Sequence, residues 1–380
     1  MPMVPAAPTP PPRLADVLAS CLASALDEPN RLDLPPVRHA VVVLVDGLGA
    51  ANLRQAAGHA RYLSTRLTKR AVITGVFPAT TAVGLGSLCT GVDPGQHGLV
   101  GYRVLDAAND RVVNQLSGWD DGMVPTVWQP LPTVFERAVA AGVPAYAVGP
   151  HRFADSGLSQ ALLRGAQYVP ARSIADRFAR ASELIASTER ALVYVYVPEL
   201  DMAGHARGWE SDRWIGELET LDAEIAAFAR TLPSSTGALV TADHGILDVA
   251  AEKQVLFDTA PELIANVRHV GGDPRCLYLY IEPDAPHGAV DSLARSWRDL
   301  EGHRARVFTR DEAVADGLFG ETTDAARSRI GDVVVSARAQ IAYYDSRDPN
   351  VSARQMIGQH GAFTDDEMRV PCIRLGAFER

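Results

Sequence analysis

The sequence predicts an α/β fold: a doubly wound, mostly parallel central sheet with helices on both faces. Two patterns carry that prediction. Short runs rich in valine and almost free of polar residues recur at 41–45, 71–77, 145–148, 192–197 and 238–241, as strands covered on both faces require. Between them lie stretches with helical spacing, 132–141 and 214–232, the second carrying Ile215, Leu218, Leu221, Ile225 and Phe228 on one stripe. Such alternation favours a parallel sheet. Further along, 276–281 and 332–335 read as strands and 290–300 as a helix, so residues 267–335 are expected to form a small inserted α/β subdomain within a main domain spanning 15–380. Residues 1–14 open with MPMVPAAPTPPPR and read as a disordered proline-rich tail. No internal repeat is visible.

Composition narrows the function. With 380 residues and 47% hydrophobic content, the chain can bury a sizeable core. A net charge of −10 argues against binding nucleic-acid polymers or anionic lipid, which need a basic surface. No apolar run reaches the length of a membrane span, and nothing near the first residues looks like a secretory signal. A cytoplasmic location is expected. Cys21, Cys89, Cys276 and Cys372 are too scattered for a disulfide framework or a thiolate metal site, and read as buried thiols.

Six side chains stand just after apolar strands or in glycine turns. They are Asp46 in VVVLVDGLG, Asp201 and His205 in YVYVPELDMAGHARG, Asp243 and His244 in ALVTADHGIL, and His360 in GQHGAF. In open sheets, ligands gather beyond the carboxyl ends of the strands, so residues this far apart can converge on one edge. Three oxygen and three nitrogen donors suffice for two divalent cations once a hydroxyl or a substrate oxygen is added. Singly, each has a structural reading: Asp46 in a turn, Asp201 with His205 as a helix-surface pair, His360 in a loop. The Asp243-His244-Gly245 step is harder to explain that way, and the set as a whole reads as shared metal binding. A nucleophile is offered by GVFPATTAVGLGSLCTG, where Thr80 or Thr81 would sit at a helix N-terminus, a position that favours anions. Threonine also commonly serves there as a plain cap.

This ordered set resembles the alkaline phosphatase superfamily, and within it the nucleotide pyrophosphatase and phosphodiesterase branch, from about residue 41 to 371. In that branch the nucleophile lies nine residues before the threonine of a Thr-Gly step, and counting back from Thr90 gives Thr81. The resemblance implies two divalent metal ions, most commonly Zn2+, one held by Asp201, His205 and His360 and the other by Asp46, Asp243, His244 and the Thr81 oxygen. It implies hydrolysis of a small-molecule phosphate ester through a phosphothreonine intermediate. One position departs from the pattern: the branch typically carries an asparagine five residues after the histidine of a His-Gly step, and counting from His97 gives Tyr102. A phosphomonoesterase or a phosphonate hydrolase on the same site is therefore the alternative, and a metal-stabilised binding protein without catalysis ranks below both. Asn114, Trp119 and Trp128 lie in an aromatic, polar segment that either lines a substrate pocket or belongs to the core.

Overall fold

The computed structural model describes residues 11–349 and 351–379. Its central sheet has seven strands in the order Val72–Thr74, Arg369–Gly376, Thr236–Thr241, His39–Val45, Ala191–Val197, Ala145–Gly149 and Gln167–Pro170. The last five run parallel. Arg369–Gly376 and Val72–Thr74 complete the other edge with antiparallel pairings, so the sheet is mixed but mostly parallel. Every residue of His39–Val45 and of Thr236–Thr241 is buried, which a sheet achieves only with cover on both faces. Helices including Ala15–Ala25, Thr81–Thr90, Ile174–Ser187 and Asp212–Thr231 provide it.

The segment 71–77 behaves differently from the buried strand predicted for it. Only Val72–Thr74 pairs, at the edge of the sheet. Val76 and Phe77 are apolar for another reason: Phe77 packs 5.6 Å from Phe319 and 5.7 Å from Phe363, in a second cluster outside the sheet. Two strands of the central sheet escaped prediction. Gln167–Pro170 is a partly exposed edge strand, and Arg369–Gly376 carries Pro371 and Arg374 in a pattern that does not read as buried.

A separate antiparallel sheet runs in the order Val267–Asp273, Cys276–Ile281, Val333–Ala337 and Ala305–Thr309. The Ala289–Glu301 helix packs on it through Trp297, which is buried against Phe257 and Tyr343. Of the tail expected over 1–14, residues 1–10 lie outside the described residues. Arg13 and Leu14 are part of the fold: the Leu14 amide donates to Thr74 O at 3.0 Å and its side chain is buried. All four cysteines are free and buried. No described helix is long and apolar enough to cross a membrane.

The strand order already brings the site together. Thr236–Thr241, His39–Val45 and Ala191–Val197 are neighbours in one parallel set, and Asp243, Asp46 and Asp201 follow their carboxyl ends. The Thr81–Thr90 helix comes so close to this edge that a Cβ on Gly84 would stand 2.7 Å from the Asp243 Cβ and 3.2 Å from its Cα. Gly84→Ala is therefore expected to push the helix off the edge and destabilise the protein by about 1–3 kcal/mol, with loss of activity. Gly216→Ala, in open space on the Asp212–Thr231 helix, should stabilise by about 0.5–1 kcal/mol. Urea denaturation of both variants checks the pair, and equal effects would contradict the close approach.

Candidate active site

Asp46 directly follows the central strand, and its amide donates to Val197 O at 2.9 Å, continuing the ladder one step into the site. Gly47 then turns with φ +73°, and a Cβ there would meet the Asp201 side chain at 3.1 Å, so glycine lets Asp201 close over the turn. Asp243 Oδ1 accepts from the Gly47 amide at 3.2 Å and from the His244 amide at 3.0 Å. Asp201 and His205 lie one turn apart on the Glu199–Arg207 helix, with His205 Nε2 3.4 Å from Asp201 Oδ1. His360 closes the group, its Nε2 lying 3.2 Å from that of His205 and 3.9 Å from Asp201 Oδ1.

Two trios result. In each of Asp201/His205/His360 and Asp46/Asp243/His244, the potential ligand atoms lie within 4.8 Å of one another. The trios touch through the His244 and His360 rings, stacked with centroids 3.7 Å apart. Thr80 occupies the N-cap position of the Thr81–Thr90 helix without a side-chain capping hydrogen bond, and Thr81 opens the helix with Oγ1 3.2 Å from His244 Nε2. All six predicted ligands and the predicted hydroxyl thus come to one place.

The donor atoms fit cations on three grounds. His205 Nδ1 lies 2.8 Å from Gly358 O and His360 Nδ1 lies 2.8 Å from Ala79 O. Only an N–H satisfies a carbonyl, so each neutral ring carries its proton on Nδ1 and turns a bare Nε2 toward the other. Two lone pairs 3.2 Å apart repel unless a positive charge lies between them. Among the described residues, Asp46 Oδ1, Asp201 Oδ1 and Asp243 Oδ2 are buried without a hydrogen-bond partner, which is costly for carboxylates. Finally, burial pushes the Asp46 carboxyl well above its ordinary range, with the charges of Asp243 and Asp201 adding to the effect, and burial also raises Asp243. Burial, then His244 and His205, drives His360 well below the usual imidazole range. The first trio offers two imidazoles and one carboxylate, the second one imidazole and two carboxylates, and imidazole donors suit zinc better than magnesium.

Sequence reading missed the supports. Tyr196 donates from Oη to Asp46 Oδ2. The carbonyls of Gly358 and Ala79 have no side-chain signature at all. Arg275 and Glu367, both fully buried, form a bidentate pair at 2.8 and 2.7 Å, and Glu367 Oε1 accepts from the Ala362 amide at 2.8 Å, two residues beyond His360. Trp128 is buried beneath the Arg329 guanidinium at 4.0 Å, with Trp119 edge-on to it, so both belong to packing. Asn114 Oδ1 accepts from the Leu116 and Ser117 amides, and its side chain stands beside the Tyr102 phenol.

Residues 40–363 match the family model of type I phosphodiesterase / nucleotide pyrophosphatase. The chain belongs to this family. Its members are phosphoric ester hydrolases, and this member has the family's α/β architecture. The superposition on murine ectonucleotide pyrophosphatase / phosphodiesterase 5 gives a TM-score of 0.69 at 16% identity over 89% of this chain and 88% of that one. Phosphonoacetate hydrolase from Sinorhizobium meliloti 1021, in complex with phosphonoformate, gives 0.66 at 18% identity over 90% and 91%. Phosphopentomutase from Anaeromyxobacter dehalogenans (strain 2CP-C) is 33% identical over 154 residues. That match spans 38% of this chain and only 35% of the relative's own length.

Two outcomes test how the family site is held in this chain. Tyr196→Phe should lower zinc affinity by about 10–100-fold, read by competition with a fluorescent chelator; unchanged affinity would remove Tyr196 from the site's support. Zinc at a hundred times its Kd should stabilise the wild type by about 2.7 kcal/mol. Asp243→Asn, which relieves the crowding of negative charge, should match or exceed the wild type in Tm without metal and lose most of the zinc increment. A variant that keeps the whole increment would show that Asp243 holds no cation.

Proposed function

We propose that the chain hydrolyses phosphodiesters or nucleotide pyrophosphate bonds through a covalent phosphothreonine at Thr81, with two divalent cations, zinc by preference. The observation that carries this reading is the contact between the two trios, with the Thr81 hydroxyl against one of them. Asp201, His205 and His360 would hold one cation, and Asp46, Asp243, His244 and Thr81 Oγ1 the other. When bound, the cations supply positive charge that lowers the pKa of a bound hydroxyl and offsets the charge on the phosphoryl oxygens.

The rest is the work of the chain. Thr81 stands at the N-terminal end of a ten-residue helix, where unpaired backbone N–H groups favour a phosphoryl oxygen. Its Oγ1 gives up its proton to solvent and attacks phosphorus opposite the ester oxygen: a bond from Thr81 to phosphorus forms, the bond from phosphorus to the leaving oxygen breaks, and the leaving group departs with that electron pair and takes a proton from solvent. Water then cleaves the phosphothreonine and restores the hydroxyl. The carbonyls of Gly358 and Ala79 keep His205 and His360 in the tautomer that presents Nε2 throughout.

Support also comes from the neighbours. A murine ectonucleotide pyrophosphatase / phosphodiesterase 5 made inactive by a threonine-to-alanine change has been seen in complex with AMP, and superposes with a TM-score of 0.68 at 15% identity. Phosphonate hydrolysis is the second reading, favoured by Tyr102 in place of the branch's asparagine. The four free, buried cysteines support a reducing compartment, the cytoplasm.

Zinc-loaded protein assayed on bis-p-nitrophenyl phosphate, p-nitrophenyl phosphate and phosphonoacetate separates these readings. Turnover should be fastest on the diester, vanish with a chelator and return with zinc, and Thr81→Ala should lose about a thousandfold or more in kcat while binding zinc. Preference for the monoester or for phosphonoacetate would overturn the diesterase assignment, and an active Thr81→Ala would reject the nucleophile.

A further inference from the structure

A cavity of about 570 Å3 lies against the residues that flank His360, and the chemistry described so far makes no use of it. It lies between Tyr102–Arg103, the turn 271–274 and the loop 343–349. Its wall holds the residues on both sides of His360. Gln359 donates from Nε2 to Tyr344 Oη at 3.1 Å, and a Cβ on Gly361 would come within 2.9 Å of the Asp273 Cβ. Arg275, two residues beyond Asp273, is the partner of Glu367, which holds the Ala362 amide. The opposite wall carries Tyr102, at the position where the family pattern has its asparagine. A volume of this size holds a small organic molecule.

The lining has an unmet demand. Arg103, Arg268, Arg347 and Arg354 line it against Asp273, Asp345 and Asp348, a small excess of positive charge on a chain of net −10. Their ion pairs are superficial: Arg103 with Asp348 at 3.2 Å, Arg268 with Asp110 at 2.9 Å, Arg347 with Asp345 at 2.7 Å. Surface pairs of this kind are weak and exchange readily for a ligand anion. Two buried atoms on lining residues, Asp273 Oδ2 and Arg268 Nε, have no hydrogen-bond partner among the described residues. Asp273 is only 6% exposed, and burial, with Glu367 nearby, pushes its carboxyl well up. In its acid form it both donates and accepts.

We propose that this cavity is the subsite for the substrate's organic group, and that this group carries a hydroxyl, met by Asp273, and an anion of its own, carboxylate or phosphate, met by Arg268 and Arg103. The inference rests on the hydrolase reading above, because it takes the cavity to be one side of the reaction centre. The second anion is distinct from the phosphoryl group under attack, which belongs to the cation trios. The cavity comes nearest a cation ligand where its wall residues Tyr344 and Asp273 meet Gln359 and Gly361, on either side of His360.

Calorimetric titration of the zinc-loaded full chain with glucuronate, glucose 6-phosphate and glucose distinguishes the sources of the anion. One anionic sugar should bind at least about tenfold more tightly than glucose, glucuronate marking a carboxylate and glucose 6-phosphate a phosphate. Arg268→Ala and Asp273→Ala should each weaken that sugar by about tenfold or more. Inorganic phosphate, which needs only the cation trios, should lose less than about twofold. Equal binding of all three sugars, full affinity in Arg268→Ala, or a parallel loss of inorganic phosphate overturns the subsite. Absence of Thr81-dependent diester turnover defeats the hydrolase reading by itself, and the sugar titrations still decide the cavity.

Discussion

Three carboxylates and three imidazoles crowd a volume from which water is largely excluded, and the rest of the structure is arranged to tolerate that crowding. Unpaired buried carboxylate oxygens and opposed imidazole lone pairs both raise the free energy of the fold. A flexible edge would relax by letting the groups drift apart. Here it cannot, because Asp46 and Asp243 follow two adjacent strands and Asp201 stands on the helix that begins just beyond a third, and His360 is fixed through the Ala79 carbonyl and, further on, by the Arg275–Glu367 pair. Positive charge relieves that crowding, so the same rigidity that holds the groups together prepares them for a cation.

That arrangement divides labour between two sheets. The parallel sheet contributes Asp46, Asp201 and Asp243 through its strand ends, and with them the geometry of attack. The antiparallel sheet contributes no cation ligand. Through Asp273, Pro274 and Arg275 it instead shapes the space beside His360 and braces the loop that carries it. The two trios and the cavity beside His360 thus rest on different elements, so the lining of the second can change while the first stays fixed.

Much of this was legible in the residues because the informative ones sit in strongly patterned contexts. Valine-rich runs ending in aspartate announce both a buried strand and a strand-end ligand, and Asp243-His244-Gly245 compresses two donors into one turn. What stayed hidden lacks such a context. Backbone carbonyls that set histidine tautomers have no side-chain identity to read. Tyr196 sits in YVYV, where a tyrosine looks like any other sheet residue, and Arg275–Glu367 joins positions whose partnership only the fold reveals. The run at 71–77 misled because Phe77 is apolar for a cluster outside the sheet, and Pro371 and Arg374 disguised a strand in the middle of one edge.

That disguised strand has a consequence for how the protein comes into being. Arg369–Gly376 lies between Thr236–Thr241 and Val72–Thr74, yet it leaves the ribosome long after both. Until it arrives, the nascent chain exposes an open β edge next to the segment that bears Asp243. Translation therefore builds most of the reaction centre first and seals its flank last, an order that leaves the unfinished polypeptide in need of protection from edge-to-edge association.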